Sequence, residues 1–120
     1  MESILLATDS KEVFSLVDSA LASKDVEVFR VESGQEVIPA VQSVEPDYIL
    51  LDLQIGNMGG IASCIALRQE ERSGRMEPNK IGLLLDRKVD EFLAKEAKAD
   101  AWLVKPLTSI SIKKLIADLS

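Results

Sequence analysis

The sequence predicts a doubly wound α/β domain, a parallel sheet of five strands with helices on both faces. Three observations predict it. Short, nearly uninterrupted apolar runs recur along the chain, among them ILLA, YILL, IGLLL and WLV. Strands read this way when helices cover both faces of a parallel sheet. Stretches with apolar residues three and four apart follow the runs, as amphipathic helices require. Finally, four runs finish on a charged residue, at Asp9, Asp52, Asp86 and Lys105.

The elements follow in order. The first strand, Ile4 to Ala7, leads into a helix whose apolar face carries Val13, Leu16, Val17, Ala20 and Leu21. Val26 to Val31 is the second strand, and Glu32-Ser33-Gly34 turns the chain into a helix bearing Val37, Ala40, Val41 and Val44. Pro39 is awkward inside that helix, which must kink or start late. Tyr48 to Asp52 is the third strand. A loop with Gly56, Gly59 and Gly60 follows, then a helix presenting Ile61, Cys64, Ile65 and Leu67. The polar stretch Glu70 to Lys80 is the longest expected loop. Ile81 to Leu85 is the fourth strand, and its helix uses Val89, Phe92, Leu93 and Ala97. The fifth strand is Ala101 to Val104, and Ile112, Leu115, Ile116 and Leu119 line the closing helix. Five β–α units and nothing else imply one domain over 1–120, with no output domain attached.

Ligands bind outside the carboxyl ends of the strands of such a sheet, so three carboxylates and one ammonium are expected on one edge. Singly, the acids have ordinary explanations. Asp9 with Glu12 reads as a helix capping box, Asp86 as a cap for the fourth helix, and Asp100 as a turn residue. Asp52 is different, because it ends four apolar residues and precedes Leu53, where a carboxylate is costly to bury. A hard cation such as Mg²⁺ takes oxygen ligands, commonly one or two carboxylates with waters and a phosphate. Asp9, Asp52 and a backbone carbonyl near Gln54 supply such a set, and Lys105 balances negative charge opposite. This chemistry suits a carboxylate that accepts a phosphoryl group.

Composition narrows the alternatives. With 47% hydrophobic and 28% charged residues, the 120-residue chain has the make-up of an ordinary soluble domain. It has no membrane-length apolar run and no secretory start, since Glu2 follows Met1, so a cytoplasmic location is expected. There is no His, which excludes imidazole-based zinc or iron sites and His-assisted nucleophiles. The lone Cys64 excludes an internal disulfide. A net charge of −6 argues against direct nucleic-acid binding, with Lys113 and Lys114 reading as a solvated helix surface.

The segments PDYILLDLQIGNMGG (Pro46 to Gly60) and ADAWLVKP (Ala99 to Pro106), in this order and spacing, resemble the receiver domain of bacterial two-component response regulators. The resemblance spans essentially the whole chain. It implies strand order 2-1-3-4-5 and a signalling module rather than an enzyme. It implies Asp52 as phosphoacceptor and Lys105 as the phosphate-binding lysine. It further implies Asp9, Asp52 and the Gln54 main-chain carbonyl as ligands of Mg²⁺, with Mn²⁺ as substitute, and Trp102 as an aromatic switch residue. The implied partners are a histidine kinase or phosphotransfer protein and a downstream protein. The surface of the last two helices and fifth strand would serve that protein or a second copy of the chain.

Two residues depart from the family pattern. Its first strand usually ends in two acids, and here the first of them is Thr8, which reaches a metal only through water. The fourth strand usually ends in a hydroxyl residue that donates to the phosphoryl group, and here that switch position is Asp86. Like charges 4 Å apart cost roughly 4 kcal/mol at an effective dielectric near 20, more than the about 1.5–3 kcal/mol of a charged hydrogen bond. Asp86 is therefore expected to pair with Lys105 or to replace the missing metal ligand. Two other functions compete with phosphoacceptance. One is a phosphorylation-independent interaction module. The other is a small Mg²⁺-dependent phosphohydrolase, which would need a second aspartate where Gln54 stands.

Overall fold

The structure, a computed structural model, describes residues 1–120 as alternating strands and helices. The strands are β1 (Glu2–Ala7), β2 (Val26–Val31), β3 (Tyr48–Asp52), β4 (Ile81–Leu85) and β5 (Ala101–Val104). The helices are α1 (Lys11–Leu21), α2 (Val37–Val44), α3 (Gly60–Arg72), α4 (Glu91–Glu96) and α5 (Ser109–Leu119). All strand pairs are parallel, in the order β2-β1-β3-β4-β5.

Alternation along the strands divides the core in two. Leu5, Ala7, Ile49, Leu51, Ile81, Leu83 and Leu85 face α2, α3 and α4, whose Val37, Val41, Cys64, Leu67, Ala94 and Ala97 pack on them. Ile4, Leu6, Tyr48, Leu50 and Leu84 face α1 and α5, meeting Val13, Val17, Ile112, Leu115 and Leu119. Both faces are covered, which is why β3 and β4 lack polar alternation and are buried throughout.

Several helical details correct the expectations. α1 is capped by Ser10, whose hydroxyl accepts from the Val13 amide at 3.2 Å. Asp9 is not the cap. A tight helical turn, Gly34–Glu36, precedes α2, so Pro39 falls in the first turn of the helix proper, where its missing N–H costs little. The expected loop from Glu70 begins later, because α3 runs to Arg72. Leu16 and Ile65, assigned to core faces, are largely exposed.

The fourth helix differs most. A separate helical turn, Lys88–Asp90, precedes α4 and shifts its phase. Ala94 and Ala97 face the sheet, while Val89, Phe92 and Leu93 are 68%, 66% and 43% exposed. Asp86 caps nothing there. The turn is closed by Asp90, whose carboxylate accepts from the Arg87 amide at 2.9 Å.

Candidate functional site

Register explains how the charged ends meet. Leu6 of β1 stands opposite Leu50 of β3, and two residues on the same pleat bring Thr8 across from Asp52. β3 and β4 pair with Asp52 opposite Leu84, and two residues further along that face is Asp86. The Lys105 amide, just past β5, donates to the Leu85 carbonyl at 2.8 Å. Thr8, Asp52 and Asp86 thus share one pleat parity at the carboxyl edge, and Lys105 closes the row.

The side chains form one hydrogen-bonded chain. Lys105 Nζ donates to Asp52 Oδ1 at 2.7 Å and to Asp86 Oδ1 at 2.8 Å. The Thr8 hydroxyl donates to Asp52 Oδ2 at 2.8 Å and accepts from the Ser10 amide at 3.1 Å. Asp52 is 2% exposed, so each carboxylate oxygen needs the donor it has. Of the two places open to Asp86, the structure gives it the Lys105 ammonium.

Electrostatics follow from these contacts. Burial works against the Lys105 charge, but the hydrogen bonds to Asp52 and Asp86 outweigh it and raise its affinity for the proton. The hydrogen bond from Lys105 holds the Asp86 carboxyl below the usual carboxylate range, against the effect of burial, and Gln54 adds to it.

Asp9 is set apart. It is exposed, and its Oδ2 accepts from the Gly56 amide at 3.1 Å, so it ties the β1 end to the β3–α3 loop. Gln54 is exposed on the same loop. No three His, Cys, Asp or Glu side chains stand together as a ready-made metal cage. Asp9, Asp52 and the loop carbonyls offer oxygen donors only, the ligand type of a hard cation rather than of a softer metal.

The loop carrying these groups is clamped from the other side. Gly34 and Gln35 amides donate to the carbonyls of Gly56 and Asn57, both at 3.1 Å. A Cβ on Gly34 would collide with the Met58 carbonyl oxygen, so only glycine fits here without a backbone shift. Sequence reasoning assigned Gly34 to a turn and missed this contact, because the loop it meets is distant in the chain. Trp102, half buried on β5, donates from Nε1 to Glu91 Oε2 on α4 at 3.1 Å. Asp100 is more than a turn residue, since its Oδ2 accepts from the Ile81 amide and Arg68 Nη2, each at 2.8 Å.

A cleft of about 390 Å³ lies between Val41, Glu45, Met76 and Pro78, next to Pro46 and Asn79, which precede β3 and β4. It is therefore at the amino edge of the sheet. The carboxyl edge holds a charge cluster.

The model of the response regulator receiver domain matches residues 4–117. The chain belongs to the response regulator receiver domain family. It is a signalling module rather than an enzyme, and receiver domains work with histidine kinases and typically depend on Mg²⁺. Among curated relatives, the alkaline phosphatase synthesis transcriptional regulatory protein PhoP of Bacillus subtilis is 28% identical over 105 residues, covering 88% of this chain and 42% of PhoP. The sensory transduction protein BceR of Halalkalibacterium halodurans is 26% identical, covering 88% of this chain and 48% of BceR. The receiver chain thus spans less than half the length of either relative. The structure of the chemotaxis response regulator CheY4 of Vibrio cholerae superposes with a TM-score of 0.87 at 24% identity, over 100% of this chain and 99% of CheY4. The BeF₃-activated receiver domain of Klebsiella pneumoniae RstA superposes at 0.81 with 25% identity, over 98% of both chains. The expected sheet order and the family are borne out. No helix is long and apolar enough to cross a membrane.

Proposed function

We propose that this receiver takes a phosphoryl group on Asp52 from the phosphohistidine of a histidine kinase or phosphotransfer protein, and signals in the cytoplasm through protein contacts. One observation carries the reading. Asp52, 2% exposed at the carboxyl edge, is held between an ammonium and a hydroxyl, the environment of a fixed and desolvated nucleophile. In the transfer, a carboxylate oxygen forms the new P–O bond as the P–N bond breaks, and the imidazole leaves with the electron pair. Asp9, Asp52 and the Gln54 carbonyl would hold Mg²⁺ or Mn²⁺, which supplies neutralisation of the phosphoryl charge. Lys105 stands ready to shift its hydrogen bond onto a phosphoryl oxygen. The partner-facing surface would be α4, β5 and α5, where Val89, Phe92 and Ile110 are exposed and Trp102 sits beneath Glu91; a second copy of the chain fits the same surface.

A second reading has its own support. Asp86 accepts a hydrogen bond from Lys105 at 2.8 Å, and a carboxylate in that place repels an incoming phosphoryl group, which favours a phosphorylation-independent interaction module. Acetyl phosphate with Mg²⁺, read on a phosphate-trapping gel, separates the two. The expected result is a retarded band with wild type and none with Asp52→Asn. A well-folded wild type that gives no band, and an Asp52→Ala variant that retains partner binding, would replace the first reading with the second.

A further inference from the structure

Granting that Asp52 is the acceptor, we infer that Thr8 is a positioning residue that decides which Asp52 oxygen is phosphorylated. The side chain is fully buried, and everything around it is fixed. Its amide donates to the Val31 carbonyl at 3.0 Å, and its carbonyl accepts from Arg30 Nε at 3.2 Å. The hydroxyl oxygen accepts from the Ser10 amide. Its single hydrogen goes to Asp52 Oδ2 at 2.8 Å. A hydroxyl has one hydrogen to give, and Thr8 has already given it.

The two oxygens of Asp52 are thereby made unequal. Both accept a hydrogen bond, and the bond from Lys105 to Oδ1 is the stronger because it is charged. That alone would make Oδ1 the poorer nucleophile. The Lys105 bond, however, can move. The ammonium carries three hydrogens on a flexible stem, is a quarter exposed, and already shares itself with Asp86. It can follow an incoming phosphoryl oxygen without losing a partner. The Thr8 hydrogen is buried and has no second acceptor, so freeing Oδ2 would strand a buried donor.

Oδ1 therefore attacks. The P–O bond forms at Oδ1 as the bond to the leaving group breaks, and the leaving group takes the electron pair. Oδ2 becomes the carbonyl oxygen of the acyl phosphate and keeps its hydrogen bond from Thr8, while Lys105 lies against the phosphoryl oxygens. A carboxylate at position 8 could not do this, since it has no hydrogen to donate and would repel Asp52.

The test compares wild type with Thr8→Val, which keeps the shape and removes the hydroxyl, and Thr8→Ser, which restores it. Thr8→Ala replaces the valine variant if that does not fold, as judged by the emission of the single Trp102. In protein labelled with ¹³C-aspartate, the Asp52 Cγ signal, assigned through Asp52→Asn, should move in Thr8→Val and stay in Thr8→Ser. With acetyl phosphate and Mg²⁺, the rate constant at saturating donor should fall about tenfold in Thr8→Val, with half-saturation within about twofold, and recover in Thr8→Ser. A crystal structure with beryllofluoride should show beryllium on the oxygen facing Lys105. Beryllium on the oxygen facing Thr8, an unmoved Cγ signal, or a serine variant as slow as valine each overturns the inference while Asp52 remains the acceptor. A wild type that takes no phosphoryl group removes the acceptor itself, and the inference with it.

Discussion

Lys105 serves two carboxylates of unequal burial, and that asymmetry sets the behaviour of both. Asp52 is almost inaccessible, whereas the Asp86 side chain is 28% exposed, so solvent screens the outer pair more. The lowered Asp86 value has a definite pH consequence. Its contribution to stability is complete above the unfolded carboxyl value near 3.9 and is lost as pH falls through the lower folded value. Asp86→Asn should therefore melt below wild type at pH 6, by about 1 kcal/mol of stability, and the gap should close in acid. A gap constant from pH 6 to pH 2.5, followed by circular dichroism, would contradict the pairing. Asp86→Thr removes a like charge beside the proposed acceptor and frees Lys105. Acetyl phosphate labelling should then rise about tenfold, and a fall would make Asp86 a supporting partner. Cys64 offers nothing to titrate at neutral pH, since burial pushes its thiol up to about 11. Of these residues the sequence showed Asp52, Asp86 and Lys105 as strand ends. The Thr8 hydrogen bond was not legible, because it depends on β1 lying beside β3.

At the scale of elements, the strands were legible and the helix faces less so. An apolar run buried on both faces has no phase to misread, so β3 and β4 match their expected limits residue for residue, and the half-buried β2 and β5 match theirs as well. A helix face depends on where the helix begins. The turn Lys88–Asp90 breaks the phase ahead of α4, so small alanines pack inward and Phe92 turns out. Phe92→Ser should accordingly change stability by no more than about 0.5 kcal/mol in urea denaturation. A loss of about 3 kcal/mol, as for a core aromatic, would return Phe92 to the core. The clamp between the β2–α2 turn and the β3–α3 loop behaves oppositely. Gly34→Ala drives a methyl into the Met58 carbonyl and should cost about 2–3 kcal/mol while displacing the loop that carries Gln54.

At the scale of the molecule, a second polar network holds the amino edge of the sheet together. Arg68 donates to Glu71, the Asn79 and Lys98 carbonyls, and Asp100. It thereby joins α3 to the segments entering β4 and β5. Its side chain is 14% exposed and that of Glu71 12%. Arg68→Ala should cost about 3 kcal/mol, read by thermal melting, with phosphoryl acceptance intact in the folded fraction. The amino-edge network thus joins elements for stability, while the carboxyl-edge one also holds the acid proposed to accept a phosphoryl group.

What the sequence by itself determined was the alternation of elements and the charged residue ending each of four strands. Burial writes both directly into composition: a covered strand must be apolar, and a charge must wait for its end. What only tertiary structure decided was pairing. Strand order put Thr8 on Asp52, and strand ends brought Asp86 to Lys105. The packing of distant loops made Gly34 indispensable. Such contacts join residues far apart in the chain, and no local pattern records which lone pair a given hydrogen will meet.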